Sequence, residues 1–504
     1  MWRSMLVVAA VQALVVPPAR FGRKRAVLMA GDDSWAAALK ESSGAFESES
    51  LKRFSAKAGA GSPADTARIR NEALLAWMAA NGVWVSEKSG WMSPPHSLAL
   101  ATSTRDENEG EESGRGLLAR RAVTQETCLV KMSLKLCMTK MRALEAPELK
   151  NYVDKDTNEF IAIALLLILE RFKGASSKWA EYVAVLPEDA AEIGSTFTWT
   201  DAQLAFLDGS PVLGSTLSMQ KKLRAEHALA TVGLDQDVFS FEAWEWAFAN
   251  LFSRAIRMVS KQHGGELLAL VPYVDFINHS PFSSTYVSID DADSPMPWEG
   301  PIDDEVVIYA DRAYRQYEQI FISYGPRPNA ELLLLYGFAL DRNPFNSVAL
   351  VVGANAGEDP LFEEKKNFAL AVGRDIESTA FPLYADRFPD ELLQFLRLAC
   401  LTPEDLKGKR LADGDFSYIL STTNELAVLA AIGAACEAAL LRYGAPDDPE
   451  QYAFDRIRRM AARLILTEQR ILQKTILACD RKSNEISSPV KFAANVGAAV
   501  ASKK

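Results

Sequence analysis

Two stretches decide how this chain is read. The first is Val271-Pro272-Tyr273-Val274-Asp275-Phe276-Ile277-Asn278-His279-Ser280. The second is Ile320-Phe321-Ile322-Ser323-Tyr324-Gly325, running through Asn329-Ala330-Glu331-Leu332-Leu333 to Tyr336-Gly337-Phe338. Each is an apolar run closed by polar residues or glycine, and each by itself reads as a strand and turn with core aromatics. Upstream lies a third patch, Ser113-Gly114-Arg115-Gly116-Leu117-Leu118-Ala119. Its glycines let the backbone approach another group closely, although alone it reads as a hairpin turn.

Around these patches, short strand-like pieces alternate with helical ones. Residues 67–85 predict a helix ending near Asn81-Gly82, where glycine supplies a left-handed cap. Gly116–Ala119 and Thr127–Met132 predict the two strands of a hairpin. From about 157 to 262 the periodicity is helical, with Phe241–Val259 as one helix. Ile161–Leu169 is too short for a bilayer, which needs roughly 20 residues, and predicts a buried helix. Strand-like pieces return at Leu267–Val274, Val306–Ala310 and Gln319–Tyr324. Beyond residue 345 the pattern is helical, with amphipathic stretches at 384–402, 423–442 and 451–478. The expectation is an α+β domain with a helical insert, followed by an all-α domain.

Composition narrows the chemistry. The chain has 504 residues, 48% of them hydrophobic and 24% charged, which is a globular balance. Its net charge of −11 argues against a protein that grips nucleic-acid backbones. Five scattered cysteines without a C-x-x-C pair argue against a zinc cluster, and four histidines against a multi-histidine metal site. Phosphate-loop, dinucleotide, H-E-x-x-H and G-x-S-x-G motifs are missing from the sequence. Residues 1–31 carry Arg3, Arg20, Arg23, Lys24 and Arg25 and no acid, behind an apolar run from Met5 to Val16. They read as a targeting leader to a plastid, with mitochondrial and cytoplasmic placement as alternatives. Residues 32–65 read as a linker and 486–504 as a tail.

Taken together and in order, the three patches resemble a SET-domain methyltransferase of the Rubisco large-subunit lysine methyltransferase class. Trp179-Ala180-Glu181-Tyr182 with Leu186-Pro187, Phe197-Thr198-Trp199 through Gly209-Ser210, and Ser253-Arg254-Ala255 also match segments of that class. The resemblance implies a SET domain at 66–344, split by a helical insert at about 157–262. A helical substrate-binding domain follows at 345–485. It implies S-adenosylmethionine (AdoMet) as cofactor and a protein substrate presenting a lysine. It also implies a monomer with no metal, no nucleic acid and no membrane in the mature form. The expected target is the Rubisco large subunit or another plastid protein. Histidine methylation and a non-catalytic SET-fold binding module remain as alternatives.

The same resemblance assigns residues. Ser113, Gly114, Arg115, Arg254, Asn278, His279 and Phe338 are expected to hold the cofactor, with a charge-assisted bond from Arg254 to its carboxylate. Ser113 stands where the class has Glu, so main-chain contacts survive there and a side-chain contact does not. Tyr324 and Tyr336 are the expected catalytic residues, aligning a neutral amine with the methyl donor. Ile256, Val274 and Asp275 are expected beside the substrate channel. The two apolar residues suit a lysine stem better than an imidazole. Asp275 either steers a basic substrate or satisfies backbone donors.

Overall fold

The computed structural model describes residues 63–83, 97–105, 112–260, 265–285, 287–290, 304–354, 357, 359–406, 408 and 410–487. The leader at 1–31 and the linker up to residue 62 lie outside the described residues, as does the tail from 488. The chain divides into two compact units. Among the described residues, one comprises those up to 198, 218–326 and 335–337; the other comprises 199–217, 327–334 and those from 338 to 487.

The first unit is a set of small sheets around a helical centre. Glu159–Lys173 is capped by Asn158, which accepts from the Phe160 amide, and is stopped at Gly174. Every residue from Ala162 to Glu170 is buried, as the apolar run predicts. Each fully buried Leu or Ile there contributes roughly 1.5–3 kcal/mol. Helix Phe241–Arg254 starts at Ser240, whose side chain accepts from the Ala243 amide. Its aromatic face joins Trp244 to Phe248 and Phe248 to Phe252, with Phe160 and Phe197 against Phe252.

Two expectations are corrected here. The helix predicted over 241–259 stops at Arg254, and Ile256–Ser260 is a strand paired with Gly265–Leu270. Met258 and Ser260 are buried while Arg257 and Val259 are exposed, so alternation overrides the helical period from that point. The hairpin predicted between 116–119 and 127–132 does not form. Glu112–Ala119 pairs with Leu98–Arg105, and Cys128–Ser133 pairs with Glu305–Tyr309. Both strands find partners elsewhere because an alternating strand carries no address for its neighbour.

The second unit is mainly helical. Helices Asp390–Ala399, Thr422–Leu440 and Arg456–Ser487 surround a core that includes Leu392, Phe395, Val428, Ile432 and Leu472. Thr422–Leu440 is apolar enough in composition to cross a bilayer, yet Val428, Leu429, Ile432 and Cys436 are buried in this core. One feature departs from an all-helical reading. Ser347–Val352 and Thr379–Tyr384 form an antiparallel pair that buries Val348, Leu350, Phe381 and Leu383. Arg397 and Glu425 form a buried two-bond pair, and Arg397 also donates to the carbonyls of Phe416 and Ser417.

Candidate active site

The three patches meet in the first unit. Asn278–His279 pairs in parallel with Phe321–Ile322, placing the first stretch beside the strand that leads to Tyr324. The third patch joins through the Asn278 amide, whose Nδ2 donates to Thr104 Oγ1 at 3.2 Å, the Arg115 carbonyl at 3.1 Å and Gln319 Oε1 at 2.9 Å. Thr104 Oγ1 in turn donates to the Gly114 carbonyl at 2.9 Å. Gly114 has φ +69°, a conformation glycine adopts without penalty. Gly116 is needed for space: a Cβ there would lie 2.5 Å from Gln319 Oε1 and 2.7 Å from Asn278 Nδ2.

Tyr324 is held from three sides. Its amide donates to His279 Nδ1 at 3.1 Å, and its hydroxyl donates to the Ile277 carbonyl at 2.8 Å. Its ring stacks on His279 at 4.9 Å and on Tyr336 at 5.0 Å between centroids. Burial, then the neighbouring Tyr336, pushes the Tyr324 phenol well above its ordinary value. It therefore stays protonated and acts as a hydrogen-bonding group, not as a phenolate base.

A cationic corner lies on the same loop. The Arg115 and Arg254 guanidiniums sit 5.0 and 4.9 Å from the centre of the Phe276 ring. Arg115 also donates to the Val185 carbonyl. Burial, then Arg254, lowers Arg115 to about 10, which leaves it charged at neutral pH. Asp275 has a fully buried side chain that accepts from the Tyr182 hydroxyl at 2.6 Å, with Arg254 Nη1 3.6 Å away. Burial pushes the Asp275 carboxyl up against the pull of Arg254. Tyr273 leads into this loop with φ +71°, which is strained for a bulky residue.

The expected site residues divide accordingly. Gly114, Arg115, Asn278, His279, Tyr324 and Tyr336 come together, and Arg254 reaches Phe276 and Asp275. Ser113 is half-buried beside Gly114, and Ile256 is half-buried where its strand pairs with Ala269. Phe338 belongs to the second unit. Two of them lie away from open surface. The Asp275 carboxylate has no exposed surface; its Oδ2 accepts from Tyr182, with Arg254 Nη1 3.6 Å away. Val274 is fully buried, so it lines no open channel in this conformation. Sequence reading missed Thr104, Gln319 and Phe276. No local signal marks the first two, which lie 174 and 41 positions from the amide they receive.

A separate cleft of about 320 Å³ runs past Ser280–Ser284 and Asp311–Glu318. Its polar walls are already bonded to one another. Burial raises Asp311, but hydrogen bonds from Tyr314, Thr285, Ser284 and Ser283 outweigh it and hold the carboxyl at about 2. That is a structural knot, and the site reading rests on the Asn278 hub instead.

Family models agree with this geometry: a SET domain matches residues 114–325, and a Rubisco LSMT substrate-binding domain matches 356–472. The chain thus carries a SET domain followed by a Rubisco LSMT substrate-binding domain. Among relatives of this SET-domain protein, the chloroplastic [fructose-bisphosphate aldolase]-lysine N-methyltransferase of Arabidopsis thaliana is 27% identical over 62% of this chain and 67% of its own length. The chloroplastic Rubisco large-subunit N-methyltransferase of Pisum sativum is 28% identical, over 66% and 68%. The actin-histidine N-methyltransferase of Homo sapiens is 26% identical over 62% of this chain, which spans 52% of that protein. A crystal structure of the SET domain of LSMT bound to lysine and AdoHcy has the same fold. Its TM-score is 0.67 at 23% identity, covering 83% of this chain and 93% of that one.

Proposed function

We propose that the protein is an AdoMet-dependent protein-lysine N-methyltransferase acting on a plastid protein, the Rubisco large subunit or an aldolase being the leading targets. The observation that carries this reading is the Asn278 hub, which ties the glycine turn to the strand of Tyr324, with Tyr324 stacked on His279 and Tyr336. The residues fit the cofactor. Two guanidiniums face a single buried carboxylate, and Arg254 Nε is buried without a hydrogen-bond partner, so the corner has cationic capacity to spare for an amino-acid carboxylate. A Cβ built on Gly114 meets nothing within 4 Å, leaving the turn open to a ligand.

When bound, AdoMet supplies an electrophilic methyl on a sulfonium. We assign its grip to the Gly114–Gly116 backbone with Ser113, to Asn278 and His279, and to Arg254 with Arg115. The protein side of the reaction is orientation and desolvation. Free lysine has a pKa of about 10.4 and must arrive neutral. Desolvation in an apolar channel disfavours the ammonium form and assists its deprotonation. The Tyr324 hydroxyl, protonated throughout the working pH range, orients the amine lone pair. Ile256 packs against the lysine stem. We further propose that 66–344 is the catalytic part and 345–485 the substrate-binding part of a protein that works as a monomer.

Labelled AdoMet with plastid extract tests the reading. Label should enter a protein band, and mass spectrometry should place it on lysine. Tyr324→Phe should lower the rate by about a hundredfold, as loss of one positioned hydrogen-bonding group at a reacting centre does. The lost bond to the Ile277 carbonyl should cost only about 1 kcal/mol of stability. Label on histidine would transfer the reading to the actin-histidine type, and no transfer with no AdoMet binding would reject it.

A further inference from the structure

We infer that Tyr182 is a positioning residue that holds Asp275 back from Arg254, keeping the guanidinium available for the carboxylate of the amino-acid end of the donor. The inference rests on the cofactor reading above. A buried arginine and carboxylate left to themselves close into a two-bond fork at about 2.7–2.9 Å. Arg397 and Glu425 do this in the second unit, at 2.9 and 3.0 Å. Arg254 and Asp275 do not. The guanidinium comes no nearer than 3.6 Å to the carboxylate, Nη1 donating instead to the Asp275 backbone carbonyl at 3.4 Å, and neither Asp275 Oδ1 nor Arg254 Nε has a hydrogen-bond partner. The difference is Tyr182. Its hydroxyl takes Asp275 Oδ2 at 2.6 Å, the shorter of the two contacts to that oxygen by a full ångström.

Tyr182 is well placed to hold its ground. Its ring is fully buried on the short helix Ala180–Val183. That helix follows Trp179, whose indole donates to the Leu136 carbonyl at 2.7 Å. Burial also pushes the Tyr182 phenol far up, so it stays a donor. Arg254 meanwhile rests against the Phe276 ring, a contact that orients the guanidinium without consuming its N–H groups. Without the phenol, the carboxylate is free to close on Arg254 and compete with an incoming carboxylate.

Two ligands isolate the effect: S-adenosylhomocysteine, which carries the amino-acid end, and 5′-methylthioadenosine, which lacks it. Calorimetry on the full chain should show Tyr182→Phe weakening the first by about tenfold, with the second unchanged within twofold. General loosening of the fold would weaken both. Asp275→Asn removes the competing charge and should tighten S-adenosylhomocysteine, again sparing methylthioadenosine. This arm decides the matter if Tyr182→Phe fails to fold. Equal effects on both ligands in Tyr182→Phe, no effect on either, or weakened S-adenosylhomocysteine binding in Asp275→Asn would overturn the inference and leave the methyltransferase reading standing. A wild-type protein that binds neither ligand would sink both.

Discussion

Replacing Gly116 by alanine tests the way the three patches are joined. A Cβ at this position would sit 2.5 Å from Gln319 Oε1, 2.7 Å from Asn278 Nδ2 and 3.0 Å from Thr104 Cγ2, where ordinary contact begins near 3.4 Å. Those are the side chains of the Asn278 hub, so they cannot retreat without loosening each other. Losing two of the three bonds from Asn278 costs about 1 kcal/mol each. Overpacking adds typically 1–3 kcal/mol. The expected total is roughly 3–5 kcal/mol, a large part of the 5–15 kcal/mol that usually holds a domain together. Gly114→Ala is the control, because its Cβ would meet nothing within 4 Å and only the left-handed backbone, worth roughly 1–2 kcal/mol, is penalised. Urea unfolding followed by tryptophan fluorescence should rank Gly116→Ala below Gly114→Ala, and calorimetry should show weakened S-adenosylhomocysteine binding in Gly116→Ala. If Gly116→Ala unfolds no earlier than the control and binds ligand as wild type does, the hub is not what joins the patches.

Two further predictions concern the second unit. Burial raises Glu468 to about 7 despite hydrogen bonds from Ser210 and Tyr443. With a folded value above the unfolded one, its stabilisation is complete below about pH 4.5 and lost as pH rises through about 7. The loss is on the order of 3 kcal/mol at 1.36 kcal/mol per unit. Glu468→Gln should therefore raise the melting temperature above pH 7 and flatten its pH dependence, and an unchanged profile counts against the assignment. Glu425→Ala leaves Arg397 buried without its carboxylate and should cost about 3–5 kcal/mol. It should also speed proteolysis near Tyr418, since Arg397 anchors the Phe416 and Ser417 carbonyls. Equal cleavage rates in wild type and variant would contradict that anchoring.

Local signals were legible in the sequence where their meaning depends on a few neighbouring residues. The apolar run 161–169 predicts a buried helix because no other face is offered, and Gly82 ends the first helix in a left-handed turn. The glycine turn, the Asn-His pair and Tyr324 stood out as an ordered set of patches, and the structure brings them together around Asn278 and His279. Composition by itself argued against a basic nucleic-acid binder and a cysteine-held metal.

Pairing and burial were decided only by the tertiary structure. Strand 112–119 turns back to Leu98–Arg105, and strand 128–133 reaches across to Glu305–Tyr309, because alternation states which face is apolar and nothing about the partner. The same holds for Asp275. As a carboxylate near a motif it could have served a substrate or the backbone, and only burial against Tyr182 and Arg254 gives it a third role. Charges and hydroxyls acquire function from what lies within about 3 Å of them, and contacts between residues 93 or 174 positions apart are set by the folded core, not by the local pattern.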